Sequence, residues 1–134
     1  MTIKQPYYLH PIETLTSEDA HQSALIAWSE SSEAVNKYPM LKWLFAVPNG
    51  GKRSGSTAAL MKRTGVKSGV LDLILLYPSN RYHGLAIELK YGRNKPTKEQ
   101  QDFIWHHEPL GYRCVVCWSW LDAKREIINY LSEC

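Results

Sequence analysis

An α/β domain, with a mixed β-sheet flanked by helices in the order α-β-α-β-β-α-β-α, is the fold class that three observations predict. Two runs rich in Leu and Ile, Val70–Tyr77 and Leu85–Tyr91, are separated by the turn residues Pro78-Ser79-Asn80-Arg81-Tyr82, and read as an antiparallel hairpin. The capping-box spelling Thr97-Lys98-Glu99-Gln100 opens a helix soon afterwards, running to about His107. Beyond Gly111, the run Arg113–Trp118 returns as a strand and leads into a terminal helix.

Each element has its own local reason. Thr16-Ser17-Glu18-Asp19 combines capping hydroxyls with acidic residues that suit a first turn, so a first helix is expected from about Glu18 to Ser31. Trp43–Val47 is apolar and aromatic, is stopped by Pro48-Asn49-Gly50-Gly51, and is expected as a buried strand. The glycine-containing loop Pro48–Thr57 follows, without the spacing of a Walker A loop, and leads into a short helix, Ala58–Thr64, closed by Gly65. The terminal helix starts at Ser119 and carries apolar Leu121, Ile127, Ile128 and Leu131.

With 134 residues, 44% hydrophobic and 22% charged, the chain fits one domain over 1–134, its core spanning about 17–131. No apolar run approaches the ~18 to 20 residues needed to cross a bilayer, and Met1–His10 lacks the pattern of a signal peptide. A soluble cytoplasmic protein is expected, of a bacterial cell or a phage-infected host, with no membrane partner and no organic cofactor. Cys114-x-x-Cys117 has no second pair with which to bind zinc, and a strand sends its two thiols to opposite faces, so both are read as core. Histidines 106 and 107 have no partner at useful spacing and are read as surface or core residues.

The net charge of +3 conceals a segregation. Lys37, Lys42, Lys52, Arg53, Lys62, Arg63 and Lys67 all fall between Glu33 and Asp72, a stretch with no acidic residue. A field of that kind suits a phosphate-bearing partner.

The chemistry is signalled by a carboxylate in each apolar hairpin strand. Asp72 lies in Val70-Leu71-Asp72-Leu73-Ile74 and Glu88 in Ala86-Ile87-Glu88-Leu89-Lys90. Alternation sends Glu88 and Lys90 to one face, away from Ile87 and Leu89. A hairpin symmetric about Asn80 puts Asp72 directly opposite Glu88, where two anions repel unless a proton or cation lies between them. Spacing leaves two resolutions open: a divalent metal, or a structural salt-bridge cluster of Asp72, Glu88 and Lys90. If a metal, hard oxygen ligands select Mg²⁺ or Mn²⁺.

The pattern of Asp72 followed by Glu88-Leu89-Lys90 resembles that of the PD-(D/E)xK nuclease superfamily, whose sheet is restriction-endonuclease-like. Its surroundings resemble the VRR-NUC (virus-type replication-repair nuclease) branch. The matching segments are Ser17-Glu18, Pro48-Asn49-Gly50-Gly51-Lys52-Arg53, Gly65-Val66-Lys67-Ser68-Gly69-Val70-Leu71-Asp72-Leu73, Ile87-Glu88-Leu89-Lys90 and Pro96-Thr97-Lys98-Glu99-Gln100. Leu71 stands where that family usually has proline.

The resemblance implies a divalent-metal-dependent DNA endonuclease. Asp72, Glu88 and the main-chain carbonyl of Leu89 would bind the metal, Glu18 would approach it directly or through water, Lys90 would orient or deprotonate the attacking water, and Gln100 would support the site. Asn49, Lys52 and Arg53 would contact backbone phosphates and Lys67 would stabilise charge near Asp72. Gln100 also has a bland reading, as the third residue of its capping box, and Glu18 as an ordinary first-turn acid. Gln22, one helical turn from Glu18, is expected on the same face. Stand-alone domains of this kind are similar to four-way (Holliday) junction resolvases, which implies branched DNA as partner and a homodimer for paired cuts. A monomeric flap, nick or single-strand nuclease and a non-catalytic DNA-binding module are the alternatives.

Overall fold

A computed structural model describes residues 5–48 and 55–133. Nine regular elements position the candidate site: α1 (Glu18–Ser29), α2 (Ser32–Lys37), β1 (Phe45–Ala46), α3 (Gly55–Arg63), β2 (Leu73–Leu75), β3 (Leu85–Leu89), α4 (Lys98–His107), β4 (Arg113–Cys117) and α5 (Trp120–Leu131), with short 3₁₀ turns between some of them. The sheet order is β1-β2-β3-β4. The first two pairings are antiparallel and β3–β4 is parallel, with α4 in the crossover, so the sheet is mixed as the sequence predicts.

The hairpin register is the one symmetric about Asn80, with Leu73 opposite Ile87, Ile74 opposite Ala86 and Leu75 opposite Leu85. Alternation then divides the side chains between two apolar clusters. Leu73, Leu75, Leu85, Ile87, Leu89, Val115 and Cys117 join the main core, to which α1 contributes Ala24, Leu25 and Trp28 and α5 contributes Trp120, Ala123, Ile127 and Leu131. Ala86 and Cys114 point the other way and pack with Leu71 beneath Phe103 and Ile104 of α4. The two cysteines are thus buried on opposite faces, and burial pushes their thiols up to about 11 for Cys114 and about 12 for Cys117. They are core residues.

Caps explain the helix starts. Ser17 accepts from the Ala20 amide at 3.0 Å and Ser119 from the Asp122 amide at 3.1 Å, each satisfying an orphan N–H of the first turn. Gly65, at φ +105°, ends the α3 region as expected, with Val66 N–H reaching back to the Met61 carbonyl at 2.9 Å.

Five expectations need correction. The Trp43–Val47 run is not a buried strand: a 3₁₀ turn takes Trp43, and β1 is two exposed residues, because it is the outermost strand and pairs only with β2. A helix not expected from the sequence, α2, follows α1 after a short break, with Ser31 capping it through the Ala34 amide. β2 covers only Leu73–Leu75, since Gly69 at φ +86° turns the chain before it. α3 begins at Gly55, earlier than Ala58. In α5 Leu121 is 40% exposed and Trp120 is buried in its place, while Ile127 and Leu131 are buried as expected. No helix among the described residues is long and apolar enough to cross a membrane.

Candidate active site

Strand alternation brings the charged residues of β3 and its extension to the sheet face covered by α4. Glu88 is 1% exposed and Lys90, just past the strand, 8%. Lys90 Nζ lies 3.3 Å from Glu88 Oε2, and Gln100 Nε2 donates to that same oxygen at 3.0 Å. Glu88 Oε1 has no hydrogen-bond partner among the described residues. A buried carboxylate oxygen without a donor is expensive unless a proton or a cation meets it, and the Asp72 side chain is the nearest group that could share a proton with Glu88.

Asp72 lies beside it. Its Oδ2 accepts the Leu89 amide at 2.9 Å, which fixes the carboxylate against β3 just beyond the paired residues of β2. The Glu88 carboxyl is raised to about 7, first by burial and then by the charge of Asp72, while Lys90 opposes the shift and does not overcome it. One lysine does not balance two carboxylates; a proton on Glu88, or a divalent cation, does.

Gln100 unites both of its sequence readings. Its Oε1 accepts from the Thr97 amide at 2.8 Å, and its own amide donates to the Thr97 hydroxyl at 3.2 Å, completing a capping box. That box orients the remaining Nε2 towards Glu88. The loop before Asp72 is pressed against the same helix turn: a Cβ at Gly69 would meet Glu99 Cβ at 2.6 Å and its carbonyl carbon at 2.8 Å. Only glycine allows this approach at that φ.

Other candidates are placed further out. Glu18 Oε2 accepts from Asn94 Nδ2 at 3.0 Å, which ties the start of α1 to the loop that follows Lys90. Gln22 lines a shallow groove formed by α1 itself, with Asp19 and Ile26. Lys67 is exposed in the loop leading to Gly69. Asn49, Lys52 and Arg53 lie outside the described residues. His107 bonds through its ring to the Phe103 carbonyl at 2.8 Å and His106 is exposed, consistent with ordinary packing and surface roles.

Three groups escaped sequence reasoning. Asn94 bonds Glu18 through its side chain and accepts from Trp118 Nε1 at 2.8 Å through its carbonyl. Arg93 and Lys95 flank it, both exposed. A basic, glycine-containing stretch placed directly after Glu88-Leu89-Lys90 was the available signal. Trp118 offered none, because a tryptophan at a strand end reads as core.

The donor chemistry fits a divalent cation: two carboxylates on neighbouring strands, one with an oxygen lacking a partner, and no soft ligand between them. Among the described residues no three His, Cys, Asp or Glu side chains gather as a metal-binding group, so the carboxylate set is the pair Asp72 and Glu88.

A mixed sheet flanked by helices, with a carboxylate at the edge of one hairpin strand and a Glu-x-Lys on the next, is the restriction-endonuclease-like architecture. A solved structure described as a VRR_NUC domain protein superposes on the chain with a TM-score of 0.70, at 29% identity, covering 87% of this chain and 89% of that one. The resemblance to VRR-NUC domains therefore holds in fold over most of the chain. No family model and no curated protein matches it.

Proposed function

We propose that the protein is a divalent-metal-dependent nuclease of the PD-(D/E)xK type that hydrolyses DNA phosphodiester bonds, leaving 5′-phosphate and 3′-hydroxyl ends. One observation carries the reading: Glu88 is buried beside Asp72 with one oxygen held by Lys90 and Gln100, so that two adjacent carboxylates face a single lysine.

Asp72, Glu88 and the Leu89 carbonyl would hold Mg²⁺ or Mn²⁺, which would supply Lewis acidity to the phosphate and to water. Asp72 is kept in place by the Leu89 amide, so its carboxylate does not swing away when the cation leaves. Lys90 Nζ orients the attacking water and carries positive charge to the phosphorane-like transition state. Gln100 holds Glu88 Oε2 and keeps the carboxylate plane fixed. Glu18 would approach from α1, where it is tied to Asn94, Asn49, Lys52 and Arg53 would contact backbone phosphates, and Lys67 would stabilise charge near Asp72.

The finer reading is a structure-selective endonuclease that resolves four-way junctions. The sequence carries no helix-turn-helix or zinc-finger motif, so in this reading selectivity comes from DNA shape. Paired cuts need two sites, hence two copies of the chain. Exposed Trp43, Leu76 and Trp105 offer apolar surface for a symmetric contact.

The test is a panel of four-way junction, flap, splayed and linear duplex DNA with Mg²⁺ or Mn²⁺, both strands mapped, beside light scattering for mass. Symmetric paired cuts on the junction by a dimer are expected. Cleavage of flaps alone by a monomer removes the junction reading, and no metal-dependent cleavage of any substrate removes the nuclease.

A further inference from the structure

Just beyond Lys90, at the carboxyl ends of the parallel strands β3 and β4, lies a groove of about 390 Å³ whose lining includes Ile12, Leu15, His21, Tyr91 and Trp118. The Lys90 amide donates to the Cys117 carbonyl at 2.9 Å, so Tyr91 and Trp118 leave the sheet side by side, directly after the catalytic lysine and the last residue of β4. The groove thus begins one residue along the chain from Lys90, on the side where α1 packs.

Trp118 belongs to neither buried cluster and is 44% exposed. Its indole N–H is nevertheless committed to the Asn94 carbonyl at 2.8 Å. A ring whose one polar atom is satisfied and whose surface remains open presents a flat apolar face in a fixed orientation, with little entropy left to lose on binding. The loop it fastens carries exposed Arg93 and Lys95 on either side of Asn94, and the Asn94 side chain is held by Glu18. One flat ring fastened to a loop that carries two cations, against the single acid Glu13 in the groove, matches a nucleotide's base and its flanking phosphates better than an apolar peptide. Base faces inside a duplex are covered by their neighbours, so a base that stacks on protein must be displaced from the helix.

We propose that Trp118 is a stacking platform for an unpaired nucleobase next to the phosphate cut at Glu88, with Arg93 and Lys95 holding adjacent backbone phosphates. This rests on the nuclease reading and adds a substrate requirement to it: a nucleotide splayed out at the cut. Substrates with a branch or single-stranded segment supply that nucleotide, whereas intact duplex does not.

The experiment uses branched DNA carrying an abasic residue at each position flanking the cut in turn, cleaved under single-turnover conditions by wild type, Trp118→Ala, Trp118→Phe and Trp118→Leu. An abasic residue at one position slows the wild type roughly tenfold, in the range of base–aromatic stacking. Trp118→Ala is slowed by a similar factor and becomes indifferent to that abasic residue, while Trp118→Phe stays near wild type. Trp118→Leu, which keeps apolar volume without an aromatic face, matches Trp118→Ala and decides the question if the alanine variant unfolds. Full wild-type activity in Trp118→Ala and Trp118→Leu, or an abasic penalty that persists in them, overturns the platform. So does a variant defect with no abasic position mattering, the pattern of a protein-docking surface. If the wild type cuts nothing, the nuclease reading falls separately, and binding of DNA carrying 2-aminopurine at the branch decides the platform. Quenching lost in Trp118→Leu supports it; quenching unchanged, or absent in the wild type, overturns it.

Discussion

Gln100 and Glu88 are joined by a 3.0 Å hydrogen bond in which a helix-capping residue also holds a buried carboxylate. The amide group of Gln100 faces two ways: its oxygen closes the first turn of α4, and its nitrogen holds one oxygen of the buried carboxylate. Substitution can separate these roles. Gln100→Glu keeps a capping-box residue but sets a carboxylate against Glu88, so cleavage should fall while α4 stays capped. Gln100→Ala should lose the cap as well, a cost of about 1 kcal/mol in urea unfolding, with a comparable fall in rate.

Lys90→Ala should reduce single-turnover cleavage by ~10² to 10⁴-fold while DNA affinity, read by anisotropy, changes little. Cleavage equal to wild type would remove Lys90 from the chemistry. Equal losses in affinity and rate would make it a binding residue.

Millimolar Mg²⁺ or Mn²⁺ should raise the melting temperature of the wild type, because a cation bound only by the folded state stabilises it. Asp72→Asn should diminish that gain and Glu88→Gln should abolish it. A melting temperature indifferent to metal would favour a purely structural role for the Asp72, Glu88 and Lys90 cluster.

The pH dependence has a definite sign. The Glu88 carboxyl titrates near 4.5 in an unfolded chain and at about 7 in the metal-free fold, so folding favours its protonated form. Its contribution is therefore complete below pH 4.5 and declines as pH rises to about 7, by on the order of 3 kcal/mol. Measured as the difference in unfolding free energy between wild type and Glu88→Gln without metal, the variant should gain relative stability across that window. Metal and proton compete for the same carboxylate, so metal affinity should rise over the same range.

Gly69→Ala should destabilise the protein by about 1–3 kcal/mol, since the added methyl meets Glu99 at a left-handed φ. It also pushes the Asp72 loop away from the turn that carries Gln100, so activity should fall at temperatures where the variant is still folded.

The hairpin register and the Glu88–Lys90 face were legible in the sequence because a strand period of two leaves little freedom once both ends of a turn are marked. The capping box was legible for a similar reason, although its second bond was not: spacing along a helix says nothing about which strand lies beneath it. β1 was misread because an aromatic run signals burial only when both faces of its sheet position are covered, and Phe45 sits at an edge with 44% of its surface exposed. The break between α1 and α2 was missed because Glu30–Ser31 carries neither glycine nor proline. Asn94 and Trp118 meet across 24 residues through a carbonyl, and main-chain acceptors leave no trace in side-chain patterns.

The sequence separations within the site also bear on how it assembles. Asp72 reaches Leu89 across 17 residues and Glu88 reaches Gln100 across 12, whereas Glu18 meets Asn94 across 76. Short loops close with less entropic penalty than long ones, so the carboxylate pair, its lysine and its glutamine are expected to assemble as one locally encoded unit. The clasp from α1 requires the whole domain. Metal affinity should thus mature before the Glu18 contact during refolding, making the site's inner half an early event and its closure a late one.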